Sequence, residues 1–357
     1  MKRTYKIVLR LLPVLTCLLL SCNNNNEDVF PQSDVPVQLS VADISLWDFQ
    51  PSALTSRAAG PLTGFFNTPI HLAYGEDAST FSEYGLALNG TVNNNITSFT
   101  PLLFYPSTNK IYMKGFYPRA ESLTDGTYLT KPGPMIPTTG PDAGIIAYTI
   151  DGTYDIMVSN QVSGSTATPI ATQLRFVHLL TRLSFVLYSD GTFPSSARVK
   201  QIKINNVLTE VELDLLNILD FNPLSPNPTA YPLTFATGAL TTITSTLPGD
   251  GAVVSAIEGV GVKPAAVGNV MVEPGAESVY NVSVVVSMAD PASPTGRVEE
   301  EYPVGSLTFS DTPTKAGYHY EIALTFNTFA SIPSVTAAPT VVTPPAPTSP
   351  TWGTKYW

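Results

Sequence analysis

The stretch Ala171–Gly191, ATQLRFVHLLTRLSFVLYSDG, is the longest apolar passage downstream of the N-terminus. Leu183, Phe185 and Leu187 alternate on one face of an extended chain. Leu174 and Phe176 alternate in the opposite phase. The phase changes across Val177-His178-Leu179-Leu180, which predicts two extended pieces joined by a turn or bulge. A short helix competes, because Leu174, Val177, Leu180 and Leu183 keep a three-residue spacing. The strand reading is preferred, and it makes the chain all-β.

The flanking text agrees. Upstream, FNTPIHLAYG, YGLALNGTV, FTPLLFYP, NKIYMKGFYP and GIIAYTIDGTYDIMVSNQ are short apolar segments broken by turn residues. Downstream, VKQIKINNV, TEVELDLLNIL, YPLTFA, ALTTITSTLP, NVMVEPG, SVYNVSVVVSMAD, VEEEYPVGSLTFS and YHYEIALTFNTF continue in the same style. Turns every eight to twelve residues or so point to sandwiches. Asp-Gly-Thr occurs at 125–127, 151–153 and 190–192. It is turn chemistry, since glycine accepts positive φ. Hydrophobic residues make up 43% of the 357, charged residues only 13%, and proline contributes 32. Such a balance favours strands and turns, because β-branched side chains suit pleated surfaces and prolines interrupt helices.

Residues 1–22 read as a targeting segment. Lys2, Arg3, Lys6 and Arg10 form a basic region, and VLRLLPVLTCLLLS is apolar but interrupted by Pro13. The segment ends Leu19-Leu20-Ser21-Cys22, which fits a lipobox with Cys22 as the lipidated residue; Cys17 follows Thr16, a poorer context. Asn23 to Asn26, then Glu27-Asp28, make a polar tether. Loss of the segment removes four basic residues and no acidic ones. That leaves 14 Lys+Arg against 28 Asp+Glu, a net charge of −14. Such a surface repels nucleic acid and anionic head groups.

VPVQLSVADISLWDFQ (35–50) reads as a strand. Val37, Leu39 and Val41 share one face, and Ile44 and Leu46 the other, with a phase slip between. PSALTSRAAGPLTG follows without apolar periodicity and reads as a loop. Its Arg57 is the only Lys or Arg between Arg10 and Lys110. Exposed loops of small residues suit proteases. At the far end, SVTAAPTVVTPPAPTSPTWGTKYW is proline-rich, yet it holds Trp352 and Trp357. These aromatics call for an apolar surface in this subunit or another.

Little in the chain suggests catalysis. His71, His178 and His319 have no second His, Cys or carboxylate at metal-ligand spacing. His178, in an apolar run, reads as a satisfied core histidine. There is no GxSxG, P-loop or GxGxxG before a helix. Glu299-Glu300-Glu301 reads as a solvated loop or edge, and Asp151 and Asp155 as flanking a turn. The expectation is a non-enzyme with no catalytic residue, no metal and no cofactor.

Several segments together resemble the fimbrillins of Bacteroidales, the pilins of type V pili that include the major and minor fimbrial proteins and the Mfa-like proteins. They are the lipobox Leu19-Leu20-Ser21-Cys22, the Arg57 loop, Lys114-Gly115-Phe116-Tyr117-Pro118, and Tyr154-Asp155-Ile156-Met157-Val158. The most specific is Leu174 to Leu183, which is similar to F-x-H-L-L-(S/T)-(K/R)-L. Lys315-Ala316-Gly317-Tyr318-His319-Tyr320, followed by IALTF, is similar to the G-x-x-Y start of a late strand. The likeness spans nearly the whole chain.

The resemblance implies two tandem transthyretin-like β-sandwiches, at 58–172 and 173–333. A tether and removable strand precede them at 23–57, and a donor-strand tail follows at 334–357. It implies a precursor lipidated at Cys22 and carried to the outer membrane. A trypsin-like, Arg-specific protease then cuts after Arg57, so that Ala58 becomes the N-terminus. The cut frees the strand carrying Val37, Leu39, Val41, Ile44 and Leu46, and a strand from another fimbrial subunit fills the groove. The tail, with Val335, Val341, Trp352, Tyr356 and Trp357, is the expected donor. The product is a structural subunit of a cell-surface fimbria that supports adhesion to a host or bacterial receptor. Two alternatives stay open: a surface glycan-binding lipoprotein, which the 16 tyrosines permit, and a fimbrial tip or anchor subunit.

Overall fold

A computed structural model describes residues 32–41, 68–76, 88–93, 96–100, 102–106, 109–118, 144–215, 233–236, 240–254, 264–275, 280–309, 314, 316–329 and 332–341. These residues form strands and no helix. In chain order the first eleven are β1 (Gln32–Pro36), β2 (Leu39–Ser40), β3 (Thr68–Gly75), β4 (Leu88–Asn93), β5 (Ile96–Thr100), β6 (Phe104–Pro106), β7 (Ile111–Tyr117), β8 (Ile145–Thr149), β9 (Met157–Ser159), β10 (Val162–Gly164) and β11 (Phe176–His178). The rest are β12 (Thr181–Ser189), β13 (Arg198–Val207), β14 (Glu210–Asp214), β15 (Leu233–Phe235), β16 (Thr241–Thr246), β17 (Ala252–Val253), β18 (Gly268–Val272), β19 (Asn281–Ala289), β20 (Arg297–Ser306), β21 (His319–Phe329) and β22 (Ile332–Val341).

The 171–191 stretch divides where its apolar phase changes. Leu174 and Phe176 are buried in a cluster with Ile70, Leu72, Phe99, Tyr105 and Met157. Leu179, Leu180, Leu183, Phe185 and Leu187 are buried in a second, larger cluster. Burying five such side chains leaves no solvated face for a helix to present, so extended structure with residues pointing both ways is the outcome. β11 pairs with β9, in the sheet ordered β11-β9-β7-β3-β4-β5-β2, with β10 also on β7. β12 enters a different sheet, ordered β18-β12-β21-β22. The stretch therefore supplies side chains to both cores, changing from one to the other across residues 177–180.

The second sheet is stacked on another, ordered β16-β13-β19-β20 with β17 on β13; β20 lies over β22 and β16 over β18. β12 and β21 run parallel, from Arg182↔His319 to Ser189↔Phe326, whereas the remaining strand pairs are antiparallel. Edge-to-face aromatics fill one end of this sandwich, with Phe309 centred 5.0 Å from Tyr320 and 5.7 Å from Tyr280. The charge run Glu299-Glu300-Glu301 lies exposed on the edge strand β20, where charge discourages further pairing.

Two features depart from simple tandem order. β8 pairs with β14 across more than sixty positions of sequence, and Ile150 N donates to Thr209 O at 2.7 Å. Residues upstream of 172 are thus stitched to residues well beyond it. The tail is also partly built in, because β22 pairs with β21 along its whole length. The Asp-Gly-Thr turns at 151–153 and 190–192 form as read. Gly152 and Gly191 have φ of 87° and 88°, and the Thr153 and Thr192 amides donate to the Asp151 and Asp190 carboxylates. The third, at 125–127, lies outside the described residues.

Candidate functional site: an N-terminal strand seated in the first core

The segment from Gln32 to Val41 is extended but is not one strand. Its two pairings, β1 and β2, are separated by Val37 and Gln38. β1 lies against β6, with Gln32 opposite Pro106 and Pro36 opposite Phe104. The Val37 amide then donates to Leu103 O at 2.8 Å. Leu39 and Ser40 pair with Thr97 and Ile96 of β5. On the opposite side, the Leu174 amide donates to Ser40 O at 2.9 Å, and Val41 bridges to Leu174 in parallel. Residues 96–106 thus bind one edge, and Leu174 of the signature stretch binds the other.

Alternation decides what this segment buries. Val37, Leu39 and Val41 are 4%, 3% and 0% exposed, while Val35 is 40% exposed and Gln38 is open to solvent. Ile70, Leu72, Phe99, Leu103, Tyr105, Met157, Leu174 and Phe176 belong to the same cluster. Burial of the three side chains contributes on the order of 5–9 kcal/mol before the entropy of ordering the segment is subtracted. A segment so far upstream therefore completes a core built from β3 to β11. Between Val41 and Thr68 run 26 residues that include Arg57.

Of the residues singled out in the sequence, Val37, Leu39 and Val41 sit together in this groove. Cys22, Ile44, Leu46, Arg57, Ala58, Trp352, Tyr356 and Trp357 lie outside the described residues. Val335 is buried in the second core at 5% exposure, and Val341 stands opposite Tyr320. The groove's polar contacts, Leu103 O and the Leu174 amide, are backbone groups that no side-chain pattern announces.

The titratable side chains in the interior serve the fold. His178 Nδ1 pairs with Asp155 Oδ2, both buried. His319 Nε2 shares a hydrogen bond of 2.7 Å with Ser184 Oγ. His71 packs its ring on Phe116, with centroids 4.9 Å apart. Lys114 is fully buried and donates to Leu215 O at 2.7 Å; burial draws its pKa down to about 8, with Asp214 acting in the opposite sense. Burial likewise draws Arg182 down to about 9, against the pull of Asp155. Among the described residues, no group of three His, Cys, Asp or Glu side chains could hold a metal ion.

Comparison with solved structures shows the same fold in a protein from Bacteroides uniformis described as a candidate cell adhesion protein. The two share 17% identity over 86% of this chain and 99% of that one, with a TM-score of 0.50. A fimbrial protein from Bacteroides vulgatus aligns over 86% of this chain and 99% of its own, at 12% identity and a TM-score of 0.45. No curated protein sequence matches. The family model described as fimbrillin-like matches residues 67–340, well over half of the chain. The chain belongs to the fimbrillin-like family.

Proposed function

We propose that this protein is a structural subunit of a cell-surface fimbria, matured by exchange of its N-terminal strand. In this reading the precursor carries lipid on Cys22 and reaches the outer membrane. An Arg-specific, trypsin-like protease cuts between Arg57 and Ala58. The released piece carries Val37, Leu39 and Val41 out of the first core, and a strand from another subunit replaces them.

The supporting observation is the seating of residues 32–41. The segment is bonded at both edges and buries three alternating side chains, yet it joins the body only through the stretch that holds Arg57. The fimbrillin-like match begins at residue 67, beyond that stretch. A sandwich that loses such a strand exposes unpaired backbone and an apolar floor together, and strand addition satisfies both.

The test is limited native digestion of the chain from residue 23 with a trypsin-like protease, compared with Arg57→Gln. The expected result is one early cut giving an N-terminus at Ala58, absent in Arg57→Gln. An early cut within 68–340, with Arg57 intact, would overturn the proposal.

A further inference from the structure

We infer that a monovalent halide ion binds in a small cavity where β11 ends and β12 and β21 begin, held by Arg182 and by His178 in its protonated form.

The cavity is lined by His178 of β11, Arg182 of β12 and His319 of β21, together with Leu180, Met271 and Tyr318. It has room for about one water-sized particle. Among the described residues, no carboxylate lines it. Arg182 and His319 stand opposite one another in the pairing of β12 with β21, so their side chains leave the same face of that sheet. The next residues along each strand, Leu183 and Tyr320, turn the other way into the second core.

His178 calls for a partner. It is 7% exposed, and its Nδ1 pairs with Asp155 Oδ2. Its other ring nitrogen, Nε2, is buried and has no hydrogen-bond partner among the described residues. Leaving such an atom unmatched is costly. Asp155 does not line the cavity, so Nε2 is the ring nitrogen left for a ligand there.

Charge selects the ligand. Asp155 offsets only part of the Arg182 charge, since burial draws the guanidinium pKa down to about 9 in spite of it. A cation is therefore repelled and an anion attracted. Nε2 donates only when it carries a proton, and a second proton lies between Nδ1 and Asp155. That state holds one proton more than a neutral imidazole beside a carboxylate. One carboxylate then stands against a guanidinium and an imidazolium, and one monovalent anion balances the surplus. The titratable groups around His178 are Asp155, from the turn before β9, and Arg182, Tyr318 and His319, from β12 and the start of β21. His319 Nε2 is engaged with Ser184 Oγ at 2.7 Å.

Size selects among anions. Sulfate and phosphate exceed the space, and the walls of Leu180 and Met271 offer their oxygens no hydrogen bonds. Chloride and bromide are spherical and more weakly hydrated, so apolar neighbours cost them less.

The test uses the chain from residue 23 at fixed ionic strength, with chloride or bromide exchanged for gluconate. Chloride NMR line broadening reports binding, and bromide anomalous diffraction reports its place. Saturable broadening and a bromide peak inside the cavity are expected. Binding should tighten as pH falls from about 8 to about 6, because a proton is taken up with the ion. His178→Asn retains a donor for Asp155 and removes the nitrogen at the cavity; it should weaken binding about 10-fold or more, as for loss of a hydrogen bond to a charged group. Met271→Phe fills the space without removing a polar group and should abolish binding. Urea unfolding confirms that each variant is folded before it is titrated. Unchanged binding in either folded variant, a bromide peak only elsewhere, or binding independent of pH would overturn the inference. A peak in crystals without binding in solution would mark an adventitious ion only and overturn it as well.

Discussion

Leu39→Ala isolates what holds the N-terminal segment in place. Leu39 is 3% exposed and shares its cluster with Leu72, Phe99 and Leu174. Its backbone pairing with Thr97 does not depend on the side chain. Truncation of a buried leucine to alanine costs about 2–5 kcal/mol, the lost transfer energy plus the cavity left behind. In the uncut chain that loss lowers the stability of the first core. After a cut at Arg57 the segment is held by non-covalent contacts alone, and the same energy should speed its departure by roughly 30- to 5,000-fold. The assay follows release of the fragment ending at Arg57 by size exclusion and mass analysis. Gln38→Ala, at an exposed neighbouring position, is the control and should leave the rate unchanged. Equal release from the two variants would refute the reasoning, because the segment would then be retained by something other than its buried face.

Lys114→Met tests the buried amine. The folded chain holds Lys114 near pKa 8 against an ordinary 10.5. Between those values the unfolded chain keeps a proton that the folded chain has released, so unfolding free energy rises with pH. Wild type should gain up to about 3 kcal/mol relative to Lys114→Met from pH 8 to 10.5 in urea titrations; parallel curves would contradict this. Asp155→Ala removes the carboxylate that His178 binds and that offsets the buried charge of Arg182. A loss of about 3–5 kcal/mol is expected by denaturant unfolding, and an unchanged midpoint would count against the pairing. Gly152→Ala should also destabilise measurably, because φ is +87° there and a Cβ would stand 2.3 Å from Ile243 Cγ2; an unchanged melting temperature would contradict that.

Local alternation made part of this structure readable. The phase change across residues 177–180 marks where this stretch turns its side chains from one core to the other, because each half of it carries its own face. Val37, Leu39 and Val41 were legible as one buried face for the same reason. Two-residue periodicity says nothing, however, about which strand lies alongside. The pairing of β8 with β14, the reach of Lys114 to Leu215 and the bridge from Val41 to Leu174 join residues far apart in sequence, and no local pattern encodes them. The tail shows a different limit. Its proline-rich sequence does not say which strand it lies beside, and residues 332–341 pair with β21 of the same chain, with Pro333 and Pro339 on that outer strand.

The most direct test of the account is the N-terminus of the subunit in isolated fimbriae. Fimbriae sheared from cells, dissociated and sequenced should yield this chain beginning at Ala58, with residues 32–41 absent and an intact C-terminus. A fimbrial subunit that begins at lipidated Cys22 and retains residues 32–41 would contradict strand replacement.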